Sequence, residues 1–264
     1  AQKSTTRYSK TAQAAEQKRK FQYQPEKIRT GALYHYVKSN RDGSVPENVA
    51  VYVASRDNLE VFKYRAPGTA AGFVKAWIDW EIFSAHKLES YRVTGADEQK
   101  LVATFEFSKS DGIGSTNLFL DDEPAQEAKI STLPFHIFNF DFTSLNFAFR
   151  HLVNLRDSFE IGVPDFVFRN EKWEFIYRGA AIVQFQGEET LDRVRCLRYS
   201  IDGPGLENRG GAIWVNAAQG HVERMDLDLP DNPDWDHFFF ELKKVEFLSP
   251  KEWQKFRESH FERS

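Results

Sequence analysis

Apolar and polar residues alternate along most of this chain in runs of five to nine, and a period of two is the spacing of a strand with one buried face. GALYHYV, VAVYVAS, LEVFKY, VATFEFS, KWEFIYR, AIVQFQG, VRCLRYS, AIWVNA, HVERMDLDL and FFFEL all follow it. In VATFEFS, Ala103, Phe105 and Phe107 share one face, with Thr104, Glu106 and Ser108 on the other. In HVERMDLDL, Glu223, Met225, Leu227 and Leu229 oppose Val222, Arg224, Asp226 and Asp228. One dry face and one wet face describe an antiparallel sheet. Turn signals separate the runs: Arg41-Asp42-Gly43, Ala66-Pro67-Gly68, Asp111-Gly112, Gly187, Asp202-Gly203-Pro204-Gly205 and Gln219-Gly220. AIWVNAAQGHVERM reads as a hairpin with its loop at 217–220. Residues 70–93 fit two patterns. Val74, Ala76, Ile78 and Trp80 recur at period two, while Phe73, Trp77 and Glu81 have helical spacing; the strand is preferred, since Lys75, Asp79 and Glu81 are assigned to its opposite face.

Two segments break the strand rhythm. Asp141 is placed to cap a helix over FTSLNFAFRHLVN, with Leu145, Phe149 and Leu152 on one stripe. Ser249-Pro250-Lys251-Glu252 combines a cap, a first-turn proline and a capping-box glutamate, opening a helix that carries Trp253 and Phe256. The predicted fold is mostly β: a curved antiparallel sheet forming a half-barrel or barrel around one aromatic helix, with a short C-terminal helix. The 24 Phe, 9 Tyr and 6 Trp in 264 residues supply the core.

Charge is uneven. The chain carries a net charge of -4, which suggests no nucleic-acid role, yet Lys3, Arg7, Lys10, Lys18, Arg19, Lys20, Lys27 and Arg29 crowd the start against only Glu16 and Glu26. Residues 1–25 are expected to form a basic, partly disordered arm, and residues 26–264 a single β-rich domain. The arm either lies along its own acidic body or meets an anionic surface such as a membrane. No run of 18 apolar residues exists, so no transmembrane helix is expected. The opening Ala-Gln is what signal-peptide removal would leave, and points to a periplasmic or secreted protein. Cys196 stands alone in a strand pattern, as a buried, inert thiol.

The order of motifs in residues 138–229 resembles a widespread bacterial family of exported β-proteins classed as a domain of unknown function. FDFTSLNFAFRHL (Asp141, Ser144, Leu145, Arg150) stands for its short helix, LRDSFEIGVPDF for its Gly-hydrophobic-Pro element, QGEETL for its Gly-Glu-Glu-Thr turn and GAIWV for its Trp strand. Gly220-His221 stands where that family usually has a proline. The resemblance implies an open, lipoprotein-carrier-like half-barrel holding a helix, and export; it implies no catalytic residues.

The candidate sites follow. His136 and His151 flank the aromatic helix and could join Asp141 and Arg150 in a polar cluster beneath it. The plainer expectation is that Asp141 caps the helix and Arg150 bonds a carboxylate or carbonyl. Asp226, Asp228, Asp231, Asp234 and Asp236 form an acidic run without EF-hand spacing, read as a solvated loop. Asp79 and Glu81 read as a wet strand face rather than a catalytic pair, and GLENRGG as a connecting turn. No histidine spacing suggests a metal, and no cofactor is expected. The Phe stripe is a packed core or, in an open sheet, the lining of an apolar cavity.

The leading functional expectation is a non-catalytic exported protein that binds an apolar small molecule, a lipid or an envelope partner, with Trp77, Trp80, Phe138, Phe142, Phe149 and Trp214 lining the site. The alternative is an enzyme (a cyclase, isomerase or hydrolase) using His136, His151 or a cavity carboxylate. A third possibility is an interaction module docking through the basic arm.

Overall fold

Aromatic and β-branched residues at alternate positions build fourteen strands. The first seven are β1 (Ala32–Ser39), β2 (Glu47–Val53), β3 (Asn58–Tyr64), β4 (Ala71–Asp79), β5 (Ser84–Gly95), β6 (Glu98–Ser108) and β7 (Ile113–Leu118). After them come β8 (Gln126–Lys129), β9 (Phe159–Arg169), β10 (Lys172–Leu191), β11 (Val194–Asp202), β12 (Gly211–Asn216), β13 (Val222–Leu227) and β14 (Phe238–Phe247). The structure, a computed structural model, describes residues 20–119 and 124–262. All fourteen strands join one sheet, and each pairs antiparallel with its neighbours. The chain lays β1 to β8 outward in one direction, crosses to the opposite edge of the sheet with β9, and runs inward through β10 to β14, which pairs with the other side of β1.

Right-handed twist curls so wide a sheet until its ends approach, and this one is nearly closed into a barrel. The Gln126 side chain on β8 bridges to β10, accepting from the Phe175 N–H at 2.7 Å and donating to the Trp173 carbonyl at 2.9 Å. The free edge of β9 is covered by a strap, residues 132–140. Phe135 forms a parallel bridge with Gly162. The Gly162 N–H donates to the Pro134 carbonyl at 2.8 Å, and the Gly162 carbonyl accepts from the His136 N–H at 2.9 Å. A Cβ at Gly162 would lie 2.6 Å from the Thr132 carbonyl oxygen, so only glycine lets the strap sit there.

The strap feeds α1 (Thr143–Ala148), which continues as a 3₁₀ turn over Phe149–His151. Every residue of this segment is buried in the lumen, with Phe138, Phe142, Leu145, Phe147 and Phe149 in the main core. A second, smaller core lies on the outer wall, where α2 (Pro250–Ser259) packs Trp253 against Tyr52 and Phe62 lies beneath His260. Its capping box forms as expected, with Ser249 as N-cap.

Several expectations need correction. Asp141 does not cap α1: the N-cap is Phe142, in the left-handed region at φ 49°, and no side chain caps that end. Residues 70–93 are strand, as preferred, but as a hairpin, with β4 and β5 joined by a turn at Trp80–Phe83. KWEFIYR and AIVQFQG are one 20-residue strand, β10, bent by a bulge around Gly179. Gly187 is a second bulge in that strand rather than a turn; the chain reverses at Asp192–Arg193. In HVERMDLDL a bulge at Glu223 changes the phase, so Val222 joins Met225 and Leu227 in the core. Most of the basic arm lies outside the described residues. Its end is docked, with Phe21 buried between the rings of Phe83 and Phe159.

Candidate functional site

One end of the barrel buries a network of charges. Lys38 follows Ala32, Tyr34 and Tyr36 on the lumen face of β1, so its side chain points inward, where it is 2% exposed. Its ammonium donates to Asp141 at 2.9 Å and also pairs with Asp231. Lys63, at the end of β3, pairs with the other oxygen of Asp141. The Trp235 ring lies 4.1 Å from the Lys38 nitrogen. Burial opposes the charge on Lys38, but Asp141 and Asp231 outweigh it and hold its pKa above the ordinary lysine value. Burial likewise opposes the charge on Asp141, and Lys38 and Lys63 outweigh it, leaving that carboxyl below its ordinary range. The acidic run is a solvated loop in part: Asp228, Asp234 and Asp236 are exposed, with Asp226 and Asp228 on Arg41 and Asp234 on Arg65, but Asp231 is buried on Lys38.

Beside this network Asp165, in phase with Ile161 and Val163 on β9, is also buried. It accepts from the Asn139 N–H at 3.0 Å and from Arg178 Nε at 2.8 Å. Burial pushes its carboxyl up to about 7; Arg178 pulls the other way without restoring the usual range. Asp165, Arg169, Arg178 and Asp231 border a cavity of about 290 Å³.

Phe166 separates that polar cavity from an apolar one of about 260 Å³ on the inner wall at the same end. Val74, Leu88, Phe105 and Leu118 form its sheet side, with Ile137 and Phe140 of the strap and Trp173 of β10 opposite. Lys63, Asn139 and Thr104 supply its polar edge. Phe168 stands exposed at this rim, 5.4 Å from the Trp173 ring. An apolar pocket with a few polar groups at one edge suits an amphipathic molecule. A carboxyl that is half protonated near neutral pH suits proton exchange.

The residues singled out from the sequence are spread over the molecule. Phe138, Phe142 and Phe149 are fully buried core. Trp77 lies on the outer wall under the Lys87 ammonium, and Trp214 on the outer wall donates to Glu189 at 3.0 Å. Trp80 sits in the β4–β5 turn against His151. None of these six borders the apolar cavity. His136 is buried against the Ser144 hydroxyl at 2.8 Å, and His151 accepts from the Gln24 N–H at 3.1 Å. Burial pushes both imidazoles down to about 3, helped at His151 by Arg150, so both are neutral. His136, His151, Asp141 and Arg150 do not form one cluster: Asp141 is at the Lys38 end, while Arg150 and His151 are at the other. Among the described residues Arg150 has no carboxylate or carbonyl partner; it lies over the rings of Phe147 and Tyr34. Asp79 and Glu81 both pair with Lys109 on the outside. Cys196 is buried, its thiol pushed up to about 11 by burial. Among the described residues no three His, Cys, Asp or Glu side chains converge as metal ligands. No helix there is long and apolar enough to cross a membrane.

Lys38, Lys63, Asp165 and Arg178 were passed over in the sequence. Two of them carried a signal: Lys38 falls in phase with Tyr34 and Tyr36, and Asp165 with Ile161 and Val163. A charge in phase with a buried face is a charge that needs a partner.

No family model matches the chain, and no curated protein matches it. Among solved structures, the crystal structure of a DUF1329 family protein from Desulfovibrio piger is similar at 11% identity, over 92% of this chain and 94% of that one. The TM-score is 0.32, too low for anything to be carried from one protein to the other.

Proposed function

We propose that this is a non-catalytic β-barrel protein that takes up an apolar or amphipathic small molecule at the Lys38 end of its barrel. The observation that carries the reading is the apolar cavity of about 260 Å³ between β4–β7 and the strap, with the Lys63 ammonium at its edge. Its volume is near the lower end for ligand pockets, about 300–1,000 Å³, and suits a short acyl chain or a compact ring system. Each Å² of apolar ligand surface removed from water contributes about 25 cal/mol, while Lys63, already paired with Asp141, and Asn139 give the ligand's polar end a hydrogen-bonding edge. The cell envelope is the proposed setting, on the strength of the motif order in residues 138–229, with a lipid or its fragment as the partner class.

The test is titration of the whole chain with a fluorescent medium-chain fatty-acid analogue. Saturable binding is expected, weakened at least tenfold by Leu118→Arg, which puts a charge into the apolar wall, and little changed by His136→Asn. Equal binding by wild type and Leu118→Arg would sink the assignment of the site.

One observation favours a second reading. Asp165, held near neutrality on a cavity lined by Arg169 and Arg178, is placed as a general acid or base would be. A cyclase, isomerase or hydrolase built here would rely on Asp165 rather than on His136 or His151. Turnover of any metabolite abolished by Asp165→Asn, with fold intact, would replace the carrier reading.

A further inference from the structure

The opposite end of the lumen holds a cation whose charge no described residue answers. Arg150 is 1% exposed, and its Nε, Nη1 and Nη2 find no hydrogen-bond partner among the described residues. Its guanidinium carbon lies 4.5 Å from the Phe147 ring centroid and 5.0 Å from that of Tyr34. Cation–π contacts offset only part of the cost of taking a guanidinium out of water. Buried charges in folded proteins are paired, and three guanidinium nitrogens left together are the exception that asks for a cause.

Two further polar atoms beside it are in the same position. The Tyr34 hydroxyl is buried and unbonded. His221, 4% exposed with its ring 5.3 Å from that of Tyr34, commits Nε2 to Glu223 at 2.9 Å and leaves Nδ1 unbonded. Glu223 is already occupied, accepting from both His221 and Asn216. Loose packing does not account for this group. The adjacent polar set is satisfied throughout: Tyr36 donates to the Val222 carbonyl at 2.7 Å and accepts from Asn146 at 2.8 Å, and Asn146 accepts from the Val222 N–H at 2.8 Å. The Arg150 stem is also held in place, since a Cβ at Gly220 would come within 3.2 Å of its Cγ.

There is a way in. β13 and β14 pair only from Arg224–Glu241 to Leu227–Phe238; beyond Leu242, β14 pairs with β1 alone. Where the two strands part, a cavity of about 440 Å³ is bordered by His221, Leu242 and Val245, with Asp192, Glu223 and Glu241 offset by Lys243 and Lys244 around it.

We propose that Arg150, Tyr34 and His221 form an anion-binding site in the barrel lumen, which takes an oxyanion group, a carboxylate or a phosphate, through the opening between β13 and β14. The guanidinium offers a planar pair of N–H donors that matches either group. The Tyr34 hydroxyl, on β1, supplies a further donor, and the His221 ring lies 5.3 Å from that of Tyr34. The site is separate from the apolar cavity and does not depend on it.

The experiment compares thermal stability and calorimetric binding of the whole chain in sodium phosphate, sodium acetate and sodium hexanoate, each against sodium chloride at equal ionic strength. At least one oxyanion is expected to raise the melting temperature where chloride does not; preference for phosphate, or for the two carboxylates, identifies the head group. Tyr34→Phe removes only an unbonded hydroxyl. It is expected to leave the anion-free protein as stable as wild type or more so, and to weaken binding about 3- to 10-fold. Arg150→Met is expected to weaken it about 10- to 100-fold; if that variant does not fold, Tyr34→Phe decides alone. Stabilisation no greater than in chloride for all three oxyanions, or wild-type affinity in Tyr34→Phe, would overturn the site.

Discussion

Between two ammonium groups and out of contact with water, the Asp141 carboxylate is held by charge, and its place in the chain just before a helix is incidental. Removing one member of a buried ion pair leaves its partners uncompensated, which costs about 3–5 kcal/mol, against the 0.5–2 kcal/mol of a lost cap. Asp141→Ala is therefore expected to destabilise about as much as Phe149→Ala, which empties a fully buried ring site at about 3–5 kcal/mol. Urea melts measure both, and a loss below 1 kcal/mol for Asp141→Ala would contradict the network. The buried titratable groups also set the pH profile. His136 and His151 have pKa values near 3 in the folded chain and 6.5 as free groups. Unfolding takes up a proton at each between pH 3 and 6.5, so each removes about 1.4 kcal/mol per unit as pH falls through that window. Asp165 has the opposite sign: at about 7 folded and 3.8 free, it favours the folded state at low pH and loses that contribution as pH rises from about 4 to 7. Of these three groups two outweigh one, so stability is expected to rise from pH 4 to 6.5, and Asp165→Asn to steepen the slope by about 1.4 kcal/mol per unit. A flat wild-type profile in chemical denaturation across that range would refute neutral buried histidines.

Elements whose instructions are local formed where their residues called for them. Ser249 accepts from the Glu252 N–H at 3.3 Å while Glu252 accepts from the Ser249 N–H at 2.7 Å, and nothing distant is needed to close that box. What seats α2 on the wall is less local: Trp253 stacks on Tyr52 at 5.0 Å and donates to Glu60 at 2.6 Å. Ser249→Ala is expected to cost about 1 kcal/mol and Trp253→Ala about 3–5 kcal/mol. The reverse order in thermal melts would mean the helix holds itself rather than resting on the sheet. α1 is the contrary case. It has six residues and no side-chain cap, and is helical because the lumen encloses it. Its Phe and Leu spacing was readable, but its start was not, since Asp141 answers to Lys38 and Lys63.

At the scale of the whole molecule, closure of the sheet decides what counts as inside. A two-sided sheet exposes its edges to other chains; here β9 is covered by the strap and β8 is tied to β10 through one amide side chain. Gln126→Leu strands a donor and an acceptor, an expected loss of about 1–3 kcal/mol, and should speed hydrogen exchange at the Phe175 amide while leaving β1 and β2 protected. Unchanged exchange at Phe175 would show that the barrel closes without this tie. Closure also explains the tryptophans. Trp77 and Trp214 sit on strands with a dry inner face, but on the opposite phase, so curvature puts them outside with Lys87 and Glu189. The apolar cavity is made instead by residues that attracted no notice, such as Leu88, Leu118 and Ile137.

Strand content, the hairpin at 217–220, the C-terminal capping box and the aromatic filling of a curved sheet were legible in the chain, because each depends on residues within a few positions of one another. Which charges meet was settled by the folding of distant segments onto one another. Lys38 reaches Asp141 across 103 positions and Asp231 across 193, and bulges at Glu223 and Gly179 reset which side chains face the lumen. The burial that raises Asp165, keeps His136 and His151 neutral and leaves Arg150 without a partner among the described residues is a property of the closed barrel, since no pattern of neighbours in the chain sets how much water a distant strand will exclude.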